Sequence, residues 1–261
     1  MTLIVATVRA AMAACLLVAG APAFSAGAVE TIRYHNVHLR VSDPAKALEW
    51  YTRHLGATVA PPPYSVLFGQ TLVAFVKTDR PQPSEGSVID HIGISYPDLK
   101  AKMKDFEAGG ARIVQPVKDA PGLFQYGYIE DPWGVKIEVV QDPAQLGFHH
   151  VHLRVKDPDA TLKWFENNFG GERSKLGGRV DGVRYGGVWV FANPSGADTP
   201  SPSADRAIQN MAIQVAGVDT ATALFKSQNI KVVIEPRSLG SLRYSFIEDP
   251  NGIRIELIEQ H

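Results

Sequence analysis

Cysteine is nearly absent from this sequence of 261 residues, which contains only Cys15, within an apolar stretch near the N-terminus. The rest of the chain can form no intramolecular disulfide. It also offers no thiolate for metal binding and no thiol for nucleophilic catalysis. Any metal site in that part must therefore be built from histidines and carboxylates.

An excess of charge of one sign is also lacking. The chain has 26 basic and 27 acidic residues, a formal net charge of −1, and no run of basic residues. This balance gives no electrostatic footprint for nucleic acid or for an anionic membrane surface. We therefore expect a small-molecule substrate and no nucleic-acid partner. A monomer and a homodimer both stay open.

A hydrophobic run long enough to span a bilayer comfortably is the third absence. The apolar run AAMAACLLVAGAPAF at 10–24 follows Arg9 and leads into small residues between Ala23 and Ala28. This arrangement is typical of a cleaved export signal. We predict a signal peptide over 1–28 and a periplasmic or secreted protein with no membrane contact after cleavage. The alternatives are an uncleaved anchor and lipid attachment at Cys15, although the preceding residues MAA fit a lipidation motif poorly.

The sequence does contain an internal repeat. The segment HNVHLRVSDPAKALEWYTRHLG at 35–56 returns as HHVHLRVKDPDATLKWFENNFG at 149–170. Likewise, YGYIEDPWGVKIEVV at 126–140 returns as YSFIEDPNGIRIELI at 244–258. Such self-similarity indicates two copies of one structural unit. We therefore predict a first repeat over 31–142 and a second over 147–261.

Each repeat contains a weaker half-repeat in which a strand leads into an amphipathic helix. Asp43 and Asp157, each followed by proline, are typical of a helix N-cap with proline in the first turn. Tyr51 and Leu55 then fall on one helical face. The DPWG and DPNG turns each precede a terminal strand. The pattern predicts a strand, a helix and about three strands, repeated four times as modules one to four.

This organisation resembles the vicinal-oxygen-chelate (VOC) superfamily, which includes glyoxalase I, fosfomycin-resistance thiol transferases, methylmalonyl-CoA epimerases and extradiol dioxygenases. The resemblance covers nearly all of residues 31–260. It rests on the strand-D-P-helix-LG opening, the DHIGI strand at 90–94 and the EDPxGxxIE endings. It implies an α+β fold of four βαβββ modules that form two half-open mixed β-barrels with helices outside. It does not by itself define one activity.

The resemblance also implies three metal-ligand positions in each repeat, which the two repeats fill unequally. These positions hold Asn36, His91 and Glu138 in the first repeat, and His150, Asn210 and Glu256 in the second. If modules one and two share a barrel, each barrel has one histidine, one asparagine and one glutamate. If module two pairs with module three, and one with four, a complete set and a remnant result. We favour this exchanged pairing, because random loss of ligand residues from the two repeats is not expected to leave one complete ligand set.

The complete set comprises His91, Glu138 and His150. Two imidazoles and one carboxylate leave coordination positions open for water and substrate, as in catalytic metal sites. We therefore expect one divalent metal ion, which could be Zn, Mn, Ni or Fe. Glyoxalase I has a further glutamate ligand, and we match its place to Ala74 and Val190 here. Its loss makes the chain look closer to the three-ligand members.

Other residues are candidates for contact with the substrate. His152 and Arg154 share a strand face with His150, so both should point into the cavity. We expect His152 or Glu138 to move a proton during the reaction. We expect Arg154, together with Tyr126 and Tyr128, to bind substrate. Strand parity places His149 and His35 on the opposite face, where we expect them at the surface.

The predicted function is that of an exported, metal-dependent VOC enzyme, a glyoxalase-like lyase, isomerase or transferase. Its substrate would be a small molecule that chelates the metal through oxygen atoms. One alternative is an Fe(II) extradiol-type dioxygenase, with His152 as its acid–base residue. The other is a non-catalytic, bleomycin-resistance-like protein that binds a small ligand, although the intact ligand set argues against it.

Overall fold

The computed structural model describes residues 27–61 and 64–260. The predicted signal peptide therefore lies outside the described residues, except for Gly27 and Ala28. Within these two ranges, no helix has the length and apolar character needed to cross a membrane.

The first repeat contains two modules of the predicted order. Module one consists of β1 (Thr31–Val41), α1 (Pro44–Leu55), β2 (Thr58–Val59), β3 (Ser65–Phe68) and β4 (Thr71–Lys77). Module two consists of β5 (Ile89–Ser95), α2 (Leu99–Ala108), β6 (Arg112–Asp119), β7 (Gln125–Glu130) and β8 (Lys136–Val140).

The second repeat has the same order, so the prediction of an α+β fold with four βαβββ modules is confirmed. Module three consists of β9 (Gly147–Val155), α3 (Pro158–Phe169), β10 (Glu172–Leu176), β11 (Val180–Tyr185) and β12 (Val188–Pro194). Module four consists of β13 (Ile208–Val215), α4 (Val218–Ser227), β14 (Lys231–Leu239), β15 (Leu242–Glu248) and β16 (Arg254–Gln260).

The predicted capping residues begin two of the helices. The side chain of Asp43 accepts a hydrogen bond from the Lys46 N–H at the start of α1, and Asp157 accepts one from the Ala160 N–H at the start of α3. Each carboxylate satisfies an N–H group that has no partner inside the helix. Gly56 ends α1 with a φ of 72°, a left-handed conformation that glycine adopts without a steric penalty.

The four modules form two mixed sheets of eight strands each. Sheet I has the order β14-β15-β16-β13-β1-β4-β3-β2, and sheet II has the order β10-β11-β12-β9-β5-β8-β7-β6. Module one is therefore joined to module four, and module two to module three, through the antiparallel pairs β1–β13 and β5–β9. The exchanged pairing predicted from the unequal repeats is confirmed. In the described part of the chain, both sheets are open, not closed into barrels.

The centre of sheet II brings together strands from both repeats. β5 lies between the parallel strand β8 and the antiparallel strand β9. In this register His91 is opposite His152, while Gly93 is opposite both Glu138 and His150. Because side chains alternate between the two faces of a strand, these five residues share one face of the sheet.

The other face of each sheet is apolar and is covered by helices. On β9, Val151 and Leu153 are fully buried, and they belong to the same core as Phe165 of α3. In sheet I, Leu39 of β1 occupies the same core as Tyr51 of α1. Burial of each large apolar side chain contributes roughly 1.5–3 kcal/mol. The helices therefore stabilise the sheets from one side and leave the polar face available for a site.

Helix α1 also connects the two sheets within the first repeat. The hydroxyl of Tyr51 donates a hydrogen bond of 2.8 Å to Oδ2 of Asp131, in the turn between β7 and β8. The rings of Trp50 and Trp133 meet edge to face, with centroids 6.2 Å apart. The same carboxylate accepts hydrogen bonds from the backbone N–H groups of Trp133 and Val135. This buried polar contact holds module one of sheet I against module two of sheet II.

We expect Tyr51→Phe to lower the free energy of unfolding by about 1–3 kcal/mol, because the buried Asp131 carboxylate loses one of its three donors. Urea unfolding at neutral pH measures this change. The matched control is Tyr64→Phe, at a side chain that is 43% exposed, where a change below about 0.5 kcal/mol is expected. Equal stabilities of the two variants would contradict a role for this hydrogen bond.

Candidate metal centre

Four potential metal ligands meet on the polar face of sheet II. His91 lies on β5, Glu138 on β8, and His150 and His152 on β9. Each offers one ligand atom, and these four atoms lie within 4.8 Å of one another. The three histidines are less than 9% exposed, and the Glu138 side chain is 12% exposed. The structure thus brings together the three residues that the sequence grouped as ligands, with His152 beside them.

Glu138 is the point at which the histidines converge. Its Oε2 atom lies 3.0 Å from Nε2 of His91 and 3.2 Å from Nε2 of His150. Burial alone would raise the pKa of Glu138, but the neighbouring His150 and His91 outweigh it and hold the pKa well below its usual range. Glu138 is therefore an anion at neutral pH.

An outer carboxylate orients His91. Nδ1 of His91 lies 2.7 Å from Oδ2 of Asp90, which also accepts a 3.0 Å hydrogen bond from Nζ of Lys136. Burial would raise the pKa of Asp90, but His91 and Lys136 reverse that effect and lower it. An ionised Asp90 can only accept hydrogen bonds. Burial would lower the pKa of His91, but Asp90 at Nδ1 and Glu138 at Nε2 raise it. A metal ion bound at Nε2 would take the place of the proton shared with Glu138, while the Nδ1 proton would stay on the side of Asp90.

This donor set suits a divalent cation. A carboxylate oxygen and an imidazole lone pair repel each other at 3.0 Å unless a proton or a metal ion lies between them. His150 Nε2 has no partner with hydrogen-bond geometry among the described residues, although it lies 3.2 Å from the Glu138 oxygen. Two imidazole nitrogens and one carboxylate oxygen are ligands that Zn, Mn, Ni and Fe accept in proteins. His91, Glu138 and His150 therefore fit such an ion.

His152 is the neighbour of this set. Its ring centroid lies 4.6 Å from that of His91. In the described chain neither ring nitrogen has a partner with full hydrogen-bond geometry, and the Asn193 side chain is the polar group that interacts with the ring. Burial, followed by the charges of His91 and His150, lowers the pKa of His152 to about 3. A neutral imidazole can accept or donate a proton, or supply a lone pair.

A cavity of about 190 Å³ opens beside Glu138, His150 and His152. Its wall is apolar and aromatic, and includes Leu123, Phe124, Tyr126, Tyr128, Leu176, Val180 and Phe191. No lysine or arginine lines it in the part of the chain that the structure describes. This cavity fits an uncharged, largely apolar group next to the ligand cluster.

A second cavity, of about 250 Å³, lies beside His91 and His152 and has charged walls. Arg154 and Lys136 line it, but both have anionic partners. Arg154 forms an ion pair with Asp198, and Lys136 pairs with Asp90 and with Glu85. Of the predicted substrate residues, Tyr126 lines the apolar cavity, Arg154 lines the charged one, and Tyr128 lines both.

Two expectations about individual strand positions are wrong. Val190 points into the core, and Phe191 is the residue that lies opposite His152 and matches Ala74, which lies opposite His38.

His149 is fully buried and is not a surface residue. A register shift between the Gly93–His150 and Ile94–Phe148 pairs makes His149 the extra residue of a β-bulge. A bulge interrupts strand alternation, so His149 turns towards its neighbour. His35, at the same place in β1, is only partly exposed.

Gly93 is a site residue that the sequence did not reveal. A Cβ atom placed on Gly93 would lie 2.1–2.6 Å from ring atoms of His150. The imidazole of His150 therefore lies directly over this glycine, in space that any other side chain would occupy. At the equivalent place in sheet I, Ala212 lies opposite Asn36. The smaller asparagine leaves room for a methyl group.

Sheet I carries the remnant of the same arrangement. Nδ2 of Asn36 and Nε2 of His38 each lie 3.5 Å from Oε2 of Glu256, and the fully buried amide of Asn210 has no hydrogen-bond partner in the described residues. Burial raises the pKa of Glu256 to about 7, with only a small opposing effect from Asn36. Unlike in Glu138, the neighbours of this carboxyl stabilise its negative charge less than burial opposes it.

Comparison with known proteins agrees with this architecture. The family model described as Glyoxalase/Bleomycin resistance protein/Dioxygenase superfamily matches residues 33–139 and again 147–257. The crystal structure of glyoxalase I from Zea mays has a TM-score of 0.73 at 18% identity, covering 87% of this chain and 92% of that chain. A "putative dioxygenase" from Bacillus subtilis subsp. subtilis str. 168 has a TM-score of 0.64 at 17% identity, covering 89% and 86%. No curated protein matches the sequence.

The raised pKa of Glu256 predicts a pH-dependent stability. A carboxyl whose pKa rises from 4.5 when unfolded to about 7 when folded stabilises the fold fully below the lower value. That contribution is lost as pH rises through the higher value. Glutamine does not titrate, so the free energy of unfolding of Glu256→Gln should not fall in this way. Relative to the unsubstituted chain, it should rise by about 1–3 kcal/mol between pH 4.5 and pH 8. Urea unfolding at both pH values measures the difference, and a pH-independent difference would contradict the prediction.

Proposed function

The chain belongs to the glyoxalase/bleomycin resistance protein/dioxygenase superfamily, and on that premise we propose that it is a metal-dependent enzyme with one working site, on sheet II. His91, Glu138 and His150 hold a divalent ion there. The reaction is of the glyoxalase-like lyase, isomerase or transferase type, on a small molecule that chelates the ion through oxygen atoms.

The observation that carries this proposal is the convergence on Glu138. Two imidazole nitrogens lie 3.0 and 3.2 Å from one carboxylate oxygen, and Asp90 orients one of the rings through its other nitrogen. In sheet I the same positions hold Asn36 and Asn210, with the pKa of Glu256 raised to about 7. Asymmetry of this kind is expected if one site binds a cation and the other does not.

The roles of the surrounding residues follow from their positions. A bound divalent ion supplies Lewis acidity, which stabilises negative charge on substrate oxygens. His152 is neutral because burial lowers its pKa, and it lies beside the proposed ligands, so it can accept a proton from a substrate carbon or hydroxyl and return it. Glu138 is the other group that can carry a proton.

The apolar cavity restricts the kind of substrate that can bind. Tyr126, Tyr128 and Phe191 line it, without a cationic residue to bind an anionic tail. We propose that it takes the uncharged hydrocarbon part of the substrate, with the chelating oxygens towards His150 and His152. Arg154 lies on the charged cavity and pairs with Asp198, so it can reach an anionic substrate group only after that ion pair opens.

An extradiol-type dioxygenase with Fe(II) is the second candidate. The specific observation in its favour is His152, because that reaction needs an acid–base histidine beside the metal ligands. The aromatic lining of the apolar cavity also fits a ring-containing substrate. A protein that only binds a small ligand has no need of a convergent ligand set, and so we place it last.

Metal content tests the site directly. The purified chain should bind one Zn, Mn, Ni or Fe ion, and His91→Ala or His150→Ala should abolish binding, because each removes one of three ligands. The matched controls are Asn210→Ala and Asn36→Ala, the equivalent positions in sheet I, which should retain one ion. Elemental analysis and chelator competition measure the stoichiometry and affinity. Failure to bind any of the four metals would overturn the proposal.

Reaction assays separate the two enzyme classes. The metal-loaded protein should convert small α-oxoaldehyde adducts or related hydroxycarbonyl compounds without consuming oxygen, and His152→Ala should lower kcat by about 10²–10⁴-fold. Oxygen uptake with catechols by the Fe(II)-loaded protein would support the dioxygenase instead. Activity of neither kind with bound metal would leave binding as the better assignment.

Export to the periplasm or the medium is part of the proposal, and it rests on the N-terminal residues Arg9 to Ala28 alone. The oligomeric state, monomer or homodimer, stays a prediction.

A further inference from the structure

We propose that Asp90 and Asp142 are positioning residues that fix the proton on the outer nitrogen of the two ligand histidines, Asp90 directly and Asp142 through His149. The inference rests on the proposed metal function for its consequence, but the hydrogen-bond chain that supports it is a property of the protein alone. Neither carboxylate belongs to the ligand set. His149 and His150 lie between Asp142 and the ligand cluster, so Asp142 does not touch a bound substrate.

The contact behind His150 is a relay through a second histidine. Nδ1 of His150 lies 2.8 Å from Nδ1 of His149, whose Nε2 lies 3.2 Å from Oδ2 of Asp142. His149 is fully buried, and the Gln145 side chain donates a hydrogen bond to its backbone carbonyl. The bulge in β9 turns His149 towards this position. The ring therefore has one neighbour at each nitrogen and little freedom to rotate.

The direction of the relay follows from hydrogen-bond chemistry. An ionised Asp142 can only accept, so the single N–H of a neutral His149 lies on Nε2. Nδ1 of His149 then accepts, and Nδ1 of His150 must donate. Nε2 of His150 lies 3.2 Å from Glu138 without hydrogen-bond geometry, so the lone pair of His150 is left on that nitrogen. Asp90 accepts from Nδ1 of His91 at a distance of 2.7 Å, so a cation that replaces the proton between Nε2 and Glu138 would meet the lone pair of that ring. Both rings would then present a lone pair to the same ion.

Sheet I provides an internal comparison in which ligands and outer carboxylates have changed together. Register places Asn210 and Asn36 at the positions of His91 and His150. The residues matching Asp90 and Asp142 are Gln209 and Gln260, as the register of β13 and β16 shows. His35, which matches His149, is retained, and its hydrogen bonds join Asn36 and Gln260.

Comparing the two sheets distinguishes residues that the fold requires from residues that the metal site requires. A residue needed only to stabilise the β-bulge or the sheet should be the same in both copies, as His35 and His149 are. Asp90 and Asp142 are instead replaced by glutamines in sheet I, where the ligand histidines are replaced by asparagines. A negative charge is useful behind an imidazole that binds a cation, because it increases the basicity of the ring and holds its orientation. Behind an asparagine it serves no such purpose, and a neutral amide suffices.

The decisive variants are Asp90→Asn and Asp142→Asn, which keep side-chain size and remove the charge. In Asp142 the Oδ1 atom also accepts a hydrogen bond from the Ala144 N–H, so an asparagine keeps its oxygen there and turns an NH₂ group towards His149. The matched controls are Gln209→Asn and Gln260→Asn in sheet I. Affinity for Co²⁺ is measured by chelator competition, and the visible spectrum of bound Co²⁺ reports its ligand geometry.

We expect each aspartate variant to bind Co²⁺ about 10–100-fold more weakly than the unsubstituted chain, with a changed visible spectrum. Both glutamine controls should remain within twofold. If the aspartate variants also remain within twofold, or if the controls weaken equally, the inference is overturned. A variant that loses affinity together with its fold is recognised by its thermal midpoint, and the tautomer measurement on the native chain then decides.

That measurement uses ¹⁵N chemical shifts of the His150 ring in the metal-free, full-length protein. The Nδ1–H form should predominate in the unsubstituted chain, and Asp142→Asn should shift His150 towards the Nε2–H form. A predominant Nε2–H form in the unsubstituted chain would overturn the inference. If no metal binds but the Nδ1–H form is found, the proposed function fails while the hydrogen-bond chain stands, so the two failures are distinguishable.

Discussion

The antiparallel pairing of β5 with β9 is the constraint on which the site depends. It joins module two of the first repeat to module three of the second, and its register sets His91 opposite His152 and Gly93 opposite His150. β8 then lies parallel to β5 and places Glu138 beside Gly93. A shift of one residue would move every side chain of a strand to the opposite face. The ligand cluster is thus a consequence of strand register.

The close approach of β9 to β5 has a steric condition. The His150 ring occupies the space above Gly93, where a Cβ atom would collide with it. In sheet I the pair is Asn36 and Ala212, a smaller side chain opposite a larger one. Replacing Asn36 by histidine alone would therefore place an imidazole against the methyl group of Ala212. Rebuilding the second site requires the neighbouring strand to change as well.

The two sheets show what a shared fold does and does not require. Both bury apolar residues on one face and cover them with helices, and both keep a buried glutamate in their last strand. In sheet II, two histidines stabilise the ionised form of Glu138. In sheet I, burial raises the pKa of Glu256. A buried ionised group needs a partner of opposite charge, and without one it tends to take up a proton. The same carboxyl thus has opposite protonation preferences in the two halves.

Much of the architecture could be predicted from residue patterns. The aspartate–proline pairs locate the helix starts, and the repeat predicts four modules. The unequal ligands also predicted which modules pair, because His91 and Glu138 make a complete set only with His150. The predictions for Val190 and His149 were wrong for local reasons. The first used the wrong strand register, and the second assumed regular alternation through a β-bulge.

The sequence by itself determined the module order and the helix boundaries, because these follow from local propensity, from periodicity and from repeated motifs. The three residues proposed as metal ligands came from the resemblance of those motifs to a known family. Only the tertiary structure decided that Gly93 lies under His150, that His149 links His150 to Asp142, and that the cavity beside the ligands is apolar. These features depend on strands and loops that are distant in sequence. Their contacts are set by sheet register and by a bulge, which no local pattern encodes.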